Sequence, residues 1–133
     1  MTKTSIALHA IIFIILVPFL EISDTHLLNP DWPAHARLHE AWQLLTNASL
    51  SALALLLVWR WNRPITALVV CLTVTVPFLA AWAIQSIFGG SMKHSDGTEI
   101  AVFGMNAGVL IVLLITAALL ASLATRTEVP HDL

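Results

Sequence analysis

The sequence predicts an all-α fold, an integral membrane four-helix bundle forming a single domain over residues 1–133. Three observations predict it. Of the residues, 58% are hydrophobic and only 11% charged, with a mean hydropathy of +0.86. A soluble domain carries roughly 25% charged residues, so the surplus apolar surface must face lipid. Four stretches approach the roughly 20 apolar residues needed to cross a hydrocarbon layer about 30 Å thick. Basic residues, finally, are divided unevenly between the two ends that these stretches define.

The first span covers residues 5–22. Lys3 followed by an apolar run also fits a signal peptide, but no small-x-small cleavage site follows Leu20; the chain continues Glu21-Ile22-Ser23-Asp24. It is read as a span. The second, residues 33–61, is the long one. Pro33 suits a first helical position, and Asp31 or Trp32 can cap it. At a rise of 1.5 Å per residue it extends roughly 43 Å, so its first two turns project into or above the headgroups. Trp61-Asn62-Arg63-Pro64 leaves room only for an antiparallel hairpin. The third span, residues 64–88, opens on Pro64 and is expected to kink at Pro77. Gly89–Glu99 is a polar, glycine-bearing loop, and Glu99 begins the fourth span, residues 99–124. There Gly104-Met105-Asn106-Ala107-Gly108 is a GxxxG pattern, which serves packing inside the monomer or a homo-oligomer interface.

With four spans the termini and the 61–64 hairpin share one side, with Lys3, Arg60, Arg63 and Arg126. The other side has Arg37 and Lys93 and six of the eight acids: Glu21, Asp24, Asp31, Glu40, Asp96 and Glu99. Basic residues mark cytoplasmic loops, so the expectation is N-in/C-in in the inner (plasma) membrane. Trp59 and Trp61 then anchor the inner interface, with Trp32 and Trp42 near the outer one.

The formal net charge of -2 provides no footprint for nucleic acid. Cys71 is the single cysteine and sits in an apolar run, which excludes a disulfide framework or a thiolate cluster. No nucleotide-binding glycine loop, haem motif or serine or cysteine nucleophile signature is present.

The informative polar residues gather at the outer side. His35, His39, Gln43 and Asn47 recur every fourth residue, on one face of the second helix. Asn47 lies about 18 Å below His35. Such a stripe is costly against lipid and is expected to face the bundle interior or a hydrated cavity. Glu21, Gln85 and Asn106 supply partners from the other spans, and His9 is close to the depth of Asn47. His35 and His39 can act as acid/base groups or ligate a divalent metal, with Glu21 or Asp31 as carboxylate partner. Asp24, His26, Glu40, His94 and Asp96 lie on the same side and can complete a ligand shell. Gln43, Asn47, Gln85, Asn106, Trp32 and Trp42 are candidate substrate contacts. Each has a structural alternative: histidines bonded to loop carbonyls, Asp31 as a helix cap, the amides and His9 as interhelical glue, the tryptophans as belt.

Asn29-Pro30-Asp31-Trp32-Pro33-Ala34-His35-Ala36-Arg37-Leu38-His39 resembles the signature of a family of small four-helix membrane proteins of bacteria and fungi, Asn-Pro-Asx-Trp-Pro-x-His-Ala-basic-x-His. The likeness covers these eleven residues closely and the four-span layout loosely. It implies that Asp31, Trp32, His35 and His39 form one unit and brings no activity with it. A fainter similarity is to the sterol-isomerase-like membrane fold, in which His and Glu inside a helical bundle move protons on a lipid-like substrate; those proteins have five spans. It serves as an analogy for chemistry alone.

The expectation is a small membrane enzyme, or enzyme-like binding protein, acting on a hydrophobic small molecule from the outer leaflet amid membrane lipids. The alternative is a non-catalytic subunit of a larger membrane complex or an oligomeric transporter.

Overall fold

A computed structural model describes residues 1–94 and 96–127. Among the described residues four helices are long and apolar enough to cross a membrane: α1 (Thr2–Glu21), α2 (Ala34–Trp59), α3 (Pro64–Ala83) and α4 (Ala107–Thr127). Helices adjacent in sequence are adjacent in space, α4 closes back on α1, and α1 also touches α3 across the bundle. The outward faces form an apolar belt with residues such as Leu8, Ile15, Phe19, Leu45, Leu56, Val69 and Leu114. In water that belt would be untenable; in lipid it is the solvated surface.

Local chemistry sets the ends. Pro64 occupies the first turn of α3, where a missing N–H costs nothing. Asn62 takes φ +50 in the hairpin before it, a conformation asparagine tolerates better than most residues. In α1 the turn Ile12–Leu16 is π-helical, and Val17 N–H donates to the Ile12 carbonyl. Pro18 follows at once; it has no N–H to continue an α-helical ladder there, which gives the widened turn a cause.

Several boundaries differ from the sequence expectation. α2 begins at Ala34, with Pro33 outside it in an extended conformation and no side-chain cap. Asp31 is therefore not its cap: its own backbone N–H donates to Asn29 Oδ1 at 2.9 Å, an Asx turn. α3 ends at Ala83, and Gln85–Phe88 is a separate 3-10 turn.

The largest correction concerns the fourth span. Residues 99–106 are not helical; Ala101–Val102 (β1) and Met105–Asn106 (β2) form an antiparallel hairpin, and the helix starts at Ala107. Phe103 and Gly104 at its tip have φ +53 and +78, the pair of positive values that a two-residue type I′ turn requires. Gly104 and Gly108 consequently share no helix face, because Gly104 lies in the hairpin turn and Gly108 in the first turn of α4.

The two halves of the bundle pack differently. At the end holding the termini, Ile6, Ala54, Val58, Ala67, Leu68, Cys71, Ile115 and Leu119 form a close-packed core. Midway, Phe13, Val74 and Val112 form a smaller layer. Beyond it, α1 has no buried residue after Phe13 and α3 none after Thr75. The loop half is hollow.

Candidate functional site

That hollow is a cavity of about 420 Å³, lined from α1, α2, α3 and α4 and from Met92 of the 84–106 connection. Phe13, Val74 and Val112, which form one buried cluster, line it on the side of the packed half and make its floor. Leu16, Val17, Pro77 and Phe78 belong to its apolar walls. The widened π turn of α1 supplies several lining residues, and π-bulges are frequent at functional sites. The polar lining is confined to Glu21, Glu40, Gln43, Asn47 and Thr73. A volume of this order and an apolar wall with few convergent polar groups are the ordinary features of a small-molecule site.

The four-residue row of α2 does not point one way. His35 and His39 are exposed, and their Nε2 atoms share a hydrogen bond of 3.0 Å. One ring donates and the other accepts, so the bond needs at least one neutral imidazole. Trp42 is 65% exposed and stands 5.9 Å from the His39 ring. Gln43 and Asn47, a turn and two turns further on, do reach the cavity. A row at i, i+4 drifts around a helix that turns once every 3.6 residues, so its two ends face different surroundings.

Glu40, next to His39, is the α2 residue that meets Glu21 at the mouth. It interacts electrostatically with Glu21 and with His26. His26 Nε2 lies 3.4 Å from Glu21 Oε2, in ion-pair range. Its Nδ1 shares hydrogen bonds with Thr25 Oγ1 at 2.9 Å and Ser23 Oγ at 3.3 Å, which fixes the ring. The His94 ring packs edge-on at 4.7 Å, and the Trp32 ring stands edge-on at 6.1 Å. Burial holds the His26 pKa below its ordinary value; His94 adds to this and Glu40 opposes it.

Two carboxylates and two imidazoles thus converge at the mouth, a constellation suited to proton transfer or to holding a cationic group. No family model, curated protein or solved structure matches the chain. The site is read from its own chemistry.

The remaining candidates separate from it. Gln85 and Asn106 line a different, shallower recess of about 480 Å³ with Trp82, Lys93 and Glu99; Met92 borders both hollows. Asn106 caps α4: its Oδ1 accepts from Gly108 N–H at 2.9 Å and Val109 N–H at 3.4 Å, and its Nδ2 donates to the Met92 carbonyl at 3.3 Å. Asp31 is exposed and is not among the residues that line the cavity. Asp96 accepts from Thr98 N–H and Oγ1 at 2.9 and 2.6 Å, an exposed turn. Among the described residues no three His, Cys, Asp or Glu side chains are arranged to hold a metal ion, so the His35–His39 pair stands without a third ligand. Of Asp31, Trp32, His35 and His39, Trp32 packs toward His26 and the other three are exposed.

His9 is fully buried below the floor. Its Nδ1 shares a 3.4 Å hydrogen bond with Ser51 Oγ, which also donates to the Asn47 carbonyl at 2.7 Å. The expected link between His9 and Asn47 therefore runs through Ser51 and the Asn47 backbone. Toward the termini, Ser5 and Ser122 hydroxyls meet at 3.0 Å and Arg126 Nε donates to Thr2 Oγ1 at 3.0 Å.

Glu40 and His26 are the candidate site residues that the sequence left among many outer-side acids and imidazoles. Helical phase relative to Gln43 and Asn47 was the available signal for Glu40, because positions 40, 43, 44 and 47 share one face.

Proposed function

We propose that the protein is a membrane-embedded enzyme or enzyme-like binding protein for a hydrophobic small molecule, which occupies the cavity in the loop half of the bundle. The observation that carries this reading is the cavity itself: about 420 Å³, apolar on most of its wall, with Glu21, Glu40, Gln43 and Asn47 as its principal polar groups. A hydrophobic guest enters from lipid, its apolar part replacing acyl chains, and its polar end meets the carboxylates at the mouth.

Glu21 and His26 form the acid/base pair in this reading. Their 3.4 Å approach lets a proton pass between carboxylate and imidazole, and Glu40 sets the local charge. Gln43 and Asn47 orient the guest. The excess of basic residues at the termini side supports a plasma-membrane orientation in which the cavity opens toward the outer leaflet.

Native mass spectrometry of the chain purified from its membranes tests the reading. An adduct of small-molecule mass, depleted in an Ala81→Phe variant that narrows the cavity, is expected. Adduct-free protein that also fails to take up any hydrophobic probe would remove the cavity from function.

A further inference from the structure

We propose that the guest is an amphiphile with a basic nitrogen, its ammonium held between Glu21 and Glu40 and its hydrocarbon part lying among Phe13, Val74, Phe78 and Val112. This rests on the reading of the cavity as a ligand site and specifies the chemistry of that ligand.

The charges of the lining decide the polar end. Among the described residues Glu21 and Glu40 are its two ionisable groups, Gln43 and Asn47 are neutral amides, and no lysine or arginine lines the wall. Glu21 has His26 at 3.4 Å. Glu40 has no hydrogen bond or ion pair among the described residues; it feels the charge of Glu21 and, in the opposite sense, that of His26. Half-buried carboxylates beside a membrane cavity are costly as anions, and either a proton or a cation must compensate them. His26 is a poor permanent cation, because burial disfavours its protonated form. An ammonium between the two carboxylates would supply the missing charge to both. A fatty acid or a phosphate headgroup would instead bring a third negative charge to the same mouth. A neutral alcohol would satisfy hydrogen bonds and leave the charge where it is.

Beyond the mouth the wall is mostly aliphatic and aromatic down to the Phe13–Val74–Val112 floor. Asn47 and Thr73, the polar residues that line it at depth, carry no charge, so the charged end of the guest belongs at the mouth.

The full chain, purified in a non-ionic detergent at neutral pH, is titrated separately with dodecylamine, dodecanol and dodecanoate. One-to-one complexes are counted by native mass spectrometry for the wild type, Glu40→Gln, the Glu21→Gln/Glu40→Gln double variant and Ala81→Phe. The amine is expected to bind at least tenfold more tightly than the other two and to lose at least tenfold in the double variant. Retained dodecanol binding there shows that the cavity is intact; if the double variant binds neither probe, the single Glu40→Gln variant decides by the same amine-to-alcohol ratio. Equal affinity for amine and alcohol, or undiminished amine binding in the glutamine variants, would overturn the charge assignment; alcohol binding sensitive to Ala81→Phe would leave the cavity reading standing. No saturable binding of any of the three probes would overturn both.

Discussion

His39 and Glu40 are neighbours on the chain and serve different surroundings: the imidazole pairs outside the bundle with His35, and the carboxylate lines the cavity. About 100° of helix rotation separates them. That single step moves the chemistry of α2 from the row beginning at His35 to the face holding Glu40, Gln43 and Asn47.

The two residues should therefore respond differently to substitution. His39→Ala removes one exposed hydrogen bond and is expected to change stability by about 0.5 kcal/mol or less. It should leave guest binding intact. Glu40→Gln should weaken binding of a cationic guest about tenfold or more. Parallel affinity measurements on the two variants decide between the faces; a larger loss in His39→Ala would restore the histidine pair as the site.

Much of the fold was legible in the sequence. The four spans, the hairpin at Asn62 and Arg63, and Pro64 at the head of α3 follow from apolar length and proline chemistry, which are local properties. The fourth span was read too long because Ile100–Phe103 is a short apolar run, and such runs fit strand and helix equally. The hollow in the loop half was not legible. It depends on Phe13, Val74 and Val112 meeting across three helices and on the π turn of α1, features of tertiary packing that periodicity does not encode. His26 and His94 are 68 residues apart in number, and only the return of the second loop over the first brings their rings to 4.7 Å.

His26 gives the site a pH dependence whose sign can be worked out. Its folded pKa lies below the ordinary 6.5. As pH falls, the unfolded chain takes up this proton first, so stability drops through 6.5 and levels off below the folded value. Glu21, Glu40 and His94 are the ionisable groups around the ring. Thermal unfolding in detergent between about pH 7.5 and 5.5 should show a decline that is shallower in His26→Gln. An unchanged slope in that variant would assign the decline to other groups.

Below the floor, His9 and Ser51 tie α1 to α2. Ser51→Ala removes one partner of a buried imidazole, and membrane hydrogen bonds of this kind are worth about 1 kcal/mol or less. His9→Ala also opens a void where the ring packs 4.7 Å from Phe13, at a cost of roughly 2–4 kcal/mol. Denaturant-dependent unfolding in micelles should rank the variants in that order. Equal losses would mean that the hydrogen bond, and not the packing of the ring, dominates.

Asn106 acts at the start of α4. Asn106→Ala deprives Gly108 and Val109 of their capping acceptor and Met92 of a donor to its carbonyl. The expected loss is about 1–2 kcal/mol. Amide hydrogen exchange should rise at Gly108 and Val109, while binding in the central cavity changes little because Asn106 does not line it. A selective loss of guest binding with the cap amides still protected would give Asn106 the ligand-orienting role instead.

The hairpin tip provides the last test. Phe103 is fully exposed and sits at φ +53, a region that bulky residues disfavour, beside Gly104 at φ +78. Two positive values in succession favour Asn-Gly, so Phe103→Asn should relieve about 1 kcal/mol of backbone strain in a detergent micelle. The phenyl ring touches nothing that would be lost inside the chain, but an exposed aromatic at the loop end is suited to the headgroup region. The variant should therefore melt higher in detergent, and in bilayers its gain should shrink if the ring is anchored there. A lower melting point in detergent would mean that the turn does not hold this geometry.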